Sequence, residues 1–320
     1  MKTNTDNPAN RTADTNSNIV FFSFIGDAIS LGPHWVYDQD EIRTKLGRVT
    51  SYHAPITNYH PGKAAGDFTH YGDQARVLLK SLVAENGFDK QKFSAQWRAF
   101  WEDETNKTYR DGATRQTLEH LQSGTPPDRA GSDSHDIAGA GRNGPLFLLK
   151  WKDDDALITA IRRQTAFTHS TDAVVGAAEF FGHVVLAVRA GHTISDALTS
   201  AWAIKTWRAL PESWLVAARE SAASTETDSE SLKNHGLNCH TDNAFPCICH
   251  LLLRYPTDPV SALIENATAG GDSAARGMIL GLVYGAKYPI STLPEEWLSG
   301  LNARDEISTL ISHFASLHSS

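Results

Sequence analysis

Cysteine is scarce in this sequence, with three residues among 320. An odd number without the spacing of a disulfide framework argues against a secreted disulfide scaffold and favours a reducing compartment, so we expect a cytoplasmic protein. Long apolar runs are also missing. No stretch reaches about 18 uninterrupted apolar residues, which predicts no membrane-spanning helix. The polar N-terminal residues contain no apolar segment of the kind that a secretory signal requires.

Positive charge is also in short supply. The 29 Lys and Arg residues face 37 Asp and Glu residues, which leaves a net charge of −8. This balance argues against a nucleic acid or an anionic membrane as the main partner. Hydrophobic residues make up 41% of the chain, close to the globular average, which excludes wholesale disorder. We therefore expect a globular monomer whose partner is a small molecule.

The apolar pattern is helical rather than strand-like along most of the chain. Between residues 88 and 103, apolar side chains recur at helical spacing on one face: Phe93, Trp97, Phe100 and Trp101. Alternating strand runs are few, and no hairpin turn is flanked by strands. Residues 1–17 are polar, and the composition is then nearly uniform. We predict an all-α fold, with a disordered tail over residues 1–17 and one compact domain over residues 18–320.

Three glycines recur every four residues near the end of the chain: Gly277, Gly281 and Gly285. Glycine is costly inside a helix because it loses more conformational freedom on folding than any other residue. A helix with such a row is stable only if another backbone packs closely against the glycines, and we expect that contact here.

A Gly-Asp step precedes a helical run at three places, which bring Asp27, Asp73 and Asp272 to the expected helix starts. An Asp at a helix N-terminus can cap the helix. If it points outward, it can instead ligate a cation or act as a base. For each step taken alone, capping is the simpler interpretation.

The context of these steps resembles a known family. The segments that carry the resemblance read GDAISLGPHWVYDQDEI (26–42), THYGDQARVLLKSL (69–82), AGAGRNGPLFLL (138–149), FTHSTDAVVGAAEFF (167–181) and GGDSAARGMILGLVYGA (270–286). In order and approximate spacing they are similar to the ADP-ribosylglycohydrolase family, which includes the dinitrogenase-reductase-activating glycohydrolases and the J1 crystallins. The likeness covers roughly residues 19–290. It implies an all-α fold with a cleft between helix N-termini and loops. It also implies cleavage of a glycosidic bond between ADP-ribose and an amino-acid side chain, helped by one or two Mg²⁺ or Mn²⁺.

The sequence departs from the family pattern at the metal motifs. The family's Thr-Asp-Asp-Thr is replaced by residues 72–75, Gly-Asp-Gln-Ala, and its Asp-Thr-Asp-Thr by residues 272–275, Asp-Ser-Ala-Ala. The acidic residue that usually follows the opening Gly-Asp falls on His34. Two remaining carboxylates, Asp73 and Asp272, are too few for a binuclear Mg²⁺ site, so we expect either no metal or a single Mg²⁺ on that pair. His34 would suit a borderline transition metal better than Mg²⁺.

The resemblance suggests roles for individual residues. Glycosidic cleavage needs one carboxylate to activate water and another group to protonate the leaving group. Asp73 and Asp272 are the candidates for water activation and cation stabilisation, and His34 for the acid. Core packing and ordinary ion pairs are the competing explanations. The candidate substrate-binding residues are Arg142, Arg276, His70, Tyr71, Gly271 and Ser273.

Cysteine and histidine cluster between residues 239 and 250, where the sequence reads CHTDNAFPCICH. The spacing fits none of the usual zinc motifs. Residues 245–253 are apolar enough for a buried helix, in which free cysteine behaves as a small hydrophobic residue. We therefore favour burial over a zinc site.

Two functions remain open. The first is a hydrolase that cleaves an N-glycosidic bond in an ADP-ribosylated or smaller ribosyl substrate, with a reduced or absent metal centre. The second is a non-catalytic ligand-binding or crystallin-like structural member of the same family. The polar groups beside the glycine turns favour the enzyme.

Overall fold

The computed structural model describes residues 8–204 and 209–317. These residues form sixteen α-helices and two short 3-10 helices (Gly144–Leu148 and Ile290–Thr292). In chain order, the α-helices are α1 (Pro8–Ser30), α2 (Gln39–Lys45), α3 (His70–Ala84), α4 (Lys90–Glu102), α5 (Gly112–Gln122), α6 (Ala138–Gly141), α7 (Asp154–Thr165), α8 (Asp172–Arg189), α9 (Ile194–Ala203), α10 (Glu212–Ala223), α11 (Asp228–His235), α12 (Thr241–Arg254), α13 (Pro259–Ala269), α14 (Ser273–Gly285), α15 (Glu295–Ser299) and α16 (Arg304–Leu317).

The all-α prediction is confirmed. Across the described residues, extended backbone pairs only as two isolated β-bridges, between Ser132 and His169 and between Asp136 and His240. None of the described helices combines the length and the apolar character that a membrane crossing demands. The bridges matter for the site because they tie loops together ahead of α6, α8 and α12.

The predicted tail of residues 1–17 overlaps helix α1, which begins at Pro8. Residues 1–7 lie outside the described residues. The second half of α1 is deeply buried from Ile19 to Ser30 except for Phe21, which is partly buried. Once the buried second half of α1 has formed, each further helical residue costs little free energy. This explains how the polar residues before Ile19 can extend the helix toward Pro8.

Helices α1 and α14 lie side by side at the centre of the molecule. Every residue of α14 is buried. A Cβ atom added to Gly277 would lie 2.3 Å from the carbonyl oxygen of Gly26, and one added to Gly281 would lie 2.3 Å from that of Phe22. The expectation that a second backbone packs against the glycine row is therefore confirmed, and that backbone is α1. The close contact brings the end of α1 beside the start of α14.

The three Gly-Asp steps have different places in the fold. Asp272 is the N-cap of α14, and its carboxylate accepts a hydrogen bond from the backbone of Ala275. Asp73 lies in the first turn of α3, whose cap is Thr69. Asp27 lies in the last turn of α1 rather than at a helix start. The expectation for Asp27 was wrong because α1 continues through the Gly26-Asp27 step to Ser30. Asp27 instead accepts hydrogen bonds from the N–H and hydroxyl of Thr69, at 2.7 and 2.6 Å.

Candidate active site

Side chains from four separate segments meet beside the N-terminus of α14. Asp272 caps that helix, and Tyr71 lies in the first turn of α3. Asp136 lies in the loop before α6, and Cys239 lies shortly before α12. One carboxylate oxygen of each Asp and the Cys239 sulfur lie within 4.8 Å of one another. The bridge between Asp136 and His240 holds two of these segments together.

The Tyr71 hydroxyl connects the two carboxyl groups. It lies 2.9 Å from Asp136 Oδ2 and 2.9 Å from Asp272 Oδ2. A phenol carries one proton, so it can donate to only one of these oxygens. The second contact is favourable only if that carboxyl group is protonated and donates to the phenol oxygen. The geometry therefore suits a pair that holds one proton and one negative charge.

Burial favours the same protonation state. The pKa of Asp136 is raised well above its ordinary value by burial and by the nearby charge of Asp272. Burial also raises the pKa of Asp272, although hydrogen bonds from Tyr71 and Trp35 and the charge of Arg276 oppose the change. The pKa of Tyr71 is raised by burial and by the same carboxylates, so the phenol keeps its proton. Two carboxyl groups in such a place cannot both ionise easily.

Cys239 is a half-buried thiol beside the pair. Burial and the charges of Asp136 and Asp272 raise its pKa, so it is neutral at physiological pH. The other two cysteines, Cys247 and Cys249, are fully buried in α12. This agrees with the expectation of burial for that helix, whereas Cys239 belongs to the site.

His34, the predicted acid, lies close to Asp272. Its Nδ1 is 3.9 Å from Asp272 Oδ1, and neither ring nitrogen has a hydrogen-bond partner. Burial and the neighbouring His60, His70 and Arg276 lower the pKa of His34 well below its ordinary value. The ring is therefore neutral near pH 7, which disfavours the imidazolium that an acid role requires.

Asp73, the other predicted catalytic carboxylate, contacts different residues. Its Oδ2 lies 2.6 Å from Lys63 Nζ and 3.0 Å from the Thr108 hydroxyl. It faces a surface groove of about 220 Å³ that is also lined by Arg76 and Glu306. Among the described residues, neither group of three close metal-ligand side chains includes it. The Lys63 ammonium group thus neutralises the one Asp73 oxygen that both side chains contact.

The neighbouring motif positions do not suit a binuclear magnesium site either. Gln74 Oε1 accepts hydrogen bonds from Trp97 Nε1, at 3.0 Å, and from Arg142. At Gly72, a Cβ would lie 2.6 Å from Asp27 Oδ2, so the family's threonine could not be accommodated without a shift. Mg²⁺ prefers free oxygen ligands in an octahedron. Of these two positions, only Gln74 offers a side-chain oxygen, and that oxygen is already engaged.

The two arginines predicted to bind substrate are buried and hydrogen-bonded inside the protein. Arg142 donates to Gln74 and to the Thr168 hydroxyl, and its third contact is His169 Nδ1 at 3.0 Å. Arg276 donates to Asn266 Oδ1 at 3.0 Å and also to the backbone carbonyls of Gly270 and Leu237. Arg142 Nε has no hydrogen-bond partner in the described structure, but a diphosphate that bound the other guanidinium nitrogens would displace their present partners.

Two predicted residues, Gly271 and Ser273, flank Asp272. Gly270 and Gly271 have φ angles of +72° and +61°, a backbone conformation that favours glycine. This turn lets the Gly271 carbonyl accept a hydrogen bond from the Trp35 N–H at 2.7 Å. The Ser273 hydroxyl is buried without a hydrogen-bond partner in the described structure. The turn therefore aligns Asp272 with the loop that carries His34 and Trp35.

Aromatic rings form the side of the site that faces solvent. The Trp35 indole N–H donates to Asp272 Oδ2 at 3.3 Å, and its ring packs edge-on against Tyr59 and Tyr109, with centroids 4.9 and 5.2 Å away. Tyr59 is 47% exposed and Tyr37 is 52% exposed. Trp35 also has a φ angle of +62°, which is rare for a bulky residue and is often found at functional sites.

Sequence reasoning missed Asp136 and the place of Cys239. Asp136 stands two residues ahead of the glycine-rich segment at 138–149, inside the polar run SDSHD. Its position next to a segment that carries the family resemblance was the one feature of the sequence that could have pointed to Asp136. The sequence alone does not indicate which carboxylate of the run turns inward.

Comparisons with known proteins agree on one family. The family model described as ADP-ribosylglycohydrolase matches residues 20–320. Crystallin J1A of Tripedalia cystophora is 22% identical, with 89% of this chain and 91% of that protein covered. An uncharacterized protein of Archaeoglobus fulgidus is 24% identical, with 92% and 93% covered. A solved structure described as an ADP-ribosylglycohydrolase-related protein complex aligns with a TM-score of 0.67 at 18% identity, over 96% of this chain and 98% of that one. At this identity, the structural likeness shows the fold.

Proposed function

The chain belongs to the ADP-ribosylglycohydrolase family, and from that premise we propose that it hydrolyses the N-glycosidic bond of an ADP-ribosyl or smaller ribosyl conjugate without a binuclear magnesium centre. The chemistry is assigned to Asp136 and Asp272, with Tyr71 between them. The observation that carries the proposal is the single phenol hydroxyl 2.9 Å from both carboxyl groups, which favours one acid and one carboxylate.

A carboxylic acid beside a carboxylate is what glycosidic hydrolysis requires. The protonated member gives its proton to the leaving nitrogen as the bond from that nitrogen to the anomeric carbon breaks. The ionised member stabilises the resulting oxocarbenium ion and then takes a proton from the water whose oxygen bonds to that carbon. The products are a free amine and a ribose hydroxyl, and the pair again holds one proton.

The side chains at the family's metal motif give little support to magnesium-dependent hydrolysis. Asp73 is paired with Lys63, and Gln74 is bonded to Trp97 and Arg142. The hydrolysis assigned to Asp136 and Asp272 therefore includes no step that requires Mg²⁺. Asp73 remains a predicted participant from the sequence, and the variants below separate its role from that of the pair.

The test is hydrolysis of a panel of ribosyl conjugates, including ADP-ribosyl-arginine, in buffer that contains a chelator. Asp272→Asn, Asp136→Asn and Tyr71→Phe should each lower the rate, the two Asp variants by about 10²–10⁴-fold. Asp228→Asn is the matched control, since Asp228 is a buried, hydrogen-bonded carboxylate in another part of the molecule. Full activity in both Asp136→Asn and Asp272→Asn would refute the assignment. Activity that needs added Mg²⁺ and disappears in Asp73→Asn would instead indicate the Mg²⁺-dependent hydrolysis that the family resemblance implies.

A non-catalytic role is the second candidate. Two of the relatives are crystallins, J1A and J1B, the latter 23% identical over 299 residues. The internal engagement of Arg142 and Arg276 also leaves less positive charge for a diphosphate. Calorimetric titration with ADP-ribose, with and without chelator, distinguishes the hydrolase from the non-catalytic structural protein. Absence of both binding and hydrolysis over the panel would favour the structural role.

A further inference from the structure

Three buried histidines from separate segments come together beside the proposed catalytic pair: His34 from the loop after α1, His60 from the loop before α3, and His70 at the start of α3. We propose that they form a binding site for one divalent transition-metal ion of the zinc class. The proposal goes beyond the hydrolase function and does not depend on it, because the hydrolysis was assigned to carboxyl groups alone.

The spacing of the three rings suits a shared ion. One nitrogen from each ring lies within 4.8 Å of the other two, and His60 Nε2 is 3.1 Å from His70 Nδ1. The ring centroids are 5.4, 5.4 and 6.1 Å apart. With a metal–nitrogen distance of about 2.1 Å, tetrahedral ligation would place imidazole centroids about 5.3 Å apart. Small ring movements would therefore bring all three nitrogens to one ion.

The rings also carry nitrogen atoms without partners. His34, His60 and His70 have exposures of 0, 2 and 0%. Both nitrogens of His34 and Nδ1 of His60 have no hydrogen-bond partner in the described structure. A buried polar atom without a partner lowers stability. A metal ion would satisfy one nitrogen of His34 directly, and the other could face Asp272, whose Oδ1 is 3.9 Å from Nδ1.

Asp111 lies where it could make the outer contact that histidine ligands usually have. Its Oδ2 is 3.3 Å from His70 Nε2, although the two atoms are not aligned as a hydrogen bond, and its Oδ1 caps α5 through the N–H of Thr114. A proton on Nε2 that faces this carboxylate leaves the lone pair of Nδ1 directed toward His60. Carboxylates that orient a ligating imidazole in this way are a recurrent feature of metal sites.

The donor set also indicates the kind of ion. Imidazole nitrogens suit Zn²⁺, Co²⁺ and Ni²⁺, whereas Mg²⁺ prefers carboxylate, carbonyl and water oxygens. The rings of Trp35, Tyr59 and Tyr109 enclose the cluster on the solvent side, with Trp35 and Tyr109 5.2 and 5.4 Å from the His70 ring. Such an apolar shell limits access of water to a bound ion.

The experiment is titration of the tag-free, chelator-stripped protein with Co²⁺. We expect one ion per chain with the visible absorption bands of tetrahedral cobalt, displaced by Zn²⁺ and unaffected by a large excess of Mg²⁺. His60→Gln and His34→Gln should weaken binding at least tenfold, and Asp111→Asn by about 10–100-fold. Asn still caps α5, but its amide would donate to Nε2 of His70 and so favour the tautomer that cannot ligate through Nδ1. His53→Gln is the control, because His53 lies outside the cluster.

X-ray absorption of the zinc-loaded wild-type protein keeps the proposal testable if the variants fail to fold. Three nitrogen ligands at about 2.0–2.1 Å are expected. Failure to retain any ion would overturn the site. A sulfur ligand would also overturn the site. It would produce a thiolate-to-cobalt absorption band that disappears in Cys239→Ser, and the ion would then be bound by Asp136, Cys239 and Asp272. Because hydrolysis is assayed in chelator, either proposal can fail while the other stands.

Discussion

Asp27 provides a quantitative test of the electrostatics at the junction of α1 and α3. Burial raises the pKa of its carboxyl group from 3.8 to about 6, even though two hydrogen bonds from Thr69 favour the charged form. A group whose pKa is raised in the folded state binds protons more tightly when folded. Its ionisation therefore lowers stability progressively as the pH rises from the unfolded pKa through the folded one.

The magnitude follows from the shift. A rise of the pKa from 3.8 to about 6 corresponds to roughly 3 kcal/mol of folding free energy. Roughly 2–3 kcal/mol of this amount is lost between about pH 4 and pH 7.5. Asp27→Asn resembles the protonated acid and does not titrate. The stability of the wild type relative to this variant should therefore fall by roughly 2–3 kcal/mol across that interval.

Urea unfolding of both proteins at several pH values measures this difference. The control is Asp258→Asn, because the causes of the Asp258 pKa shift include no histidine. Burial alone would raise the pKa of Asp258, but hydrogen bonds from Ser261 and the backbone lower it below 3.8. Its titration is complete by about pH 5, so the wild type and this control should differ by a nearly constant amount above that pH. Parallel stability curves for the wild type and Asp27→Asn would refute the reasoning.

Three further predictions concern packing, thiol chemistry and the shared proton. Gly281→Ala should destabilise the protein by at least about 2 kcal/mol in urea unfolding, because its Cβ would lie 2.3 Å from the Phe22 carbonyl oxygen. Gly112→Ala, with no atom within 4 Å of the added Cβ, should be neutral or slightly stabilising, and equal effects would contradict the packing argument. All three cysteines should react slowly with a disulfide reagent at about pH 8 and rapidly after unfolding, since burial raises each thiol pKa, for Cys247 to about 11. A fast-reacting native thiol would count against this. Hydrolysis should slow as the pH rises through the raised pKa of Asp136 and its partner, because the proton for the leaving group is lost, and a rate that keeps rising into alkaline pH would exclude the shared-proton mechanism.

The helical fold could be predicted from the sequence because helices leave local sequence patterns and because several segments resemble those of a known family. Helical spacing marks individual helices, and α4 (Lys90–Glu102) covers the residues whose apolar side chains recur on one face. The glycine row implied a close backbone neighbour, and α1 fills that place.

The site was less accessible because its contacts join distant positions. Tyr71 meets Asp136 across 65 residues and Asp272 across 201. Asp73 looked like a partner for Asp272 by motif alone, but Lys63 lies ten residues away and neutralises it. No local pattern tells whether an acidic side chain will meet a lysine or a second acid. The three histidines were visible singly, and only the fold shows that they share one space.

The glycine contact between α1 and α14 also has a consequence for synthesis on the ribosome. Ser30 and Ser273 touch across a separation of 243 residues. At about 5–20 residues per second, the first helix waits on the order of 12–50 s for its main partner to be made. During that time the buried apolar residues Ile19 and Phe22, whose backbone atoms lie against Gly285 and Gly281, lack that neighbour. The apolar face of α1 is thus open to aggregation until α14 has been made, and this long-range contact is among the late steps of folding during synthesis.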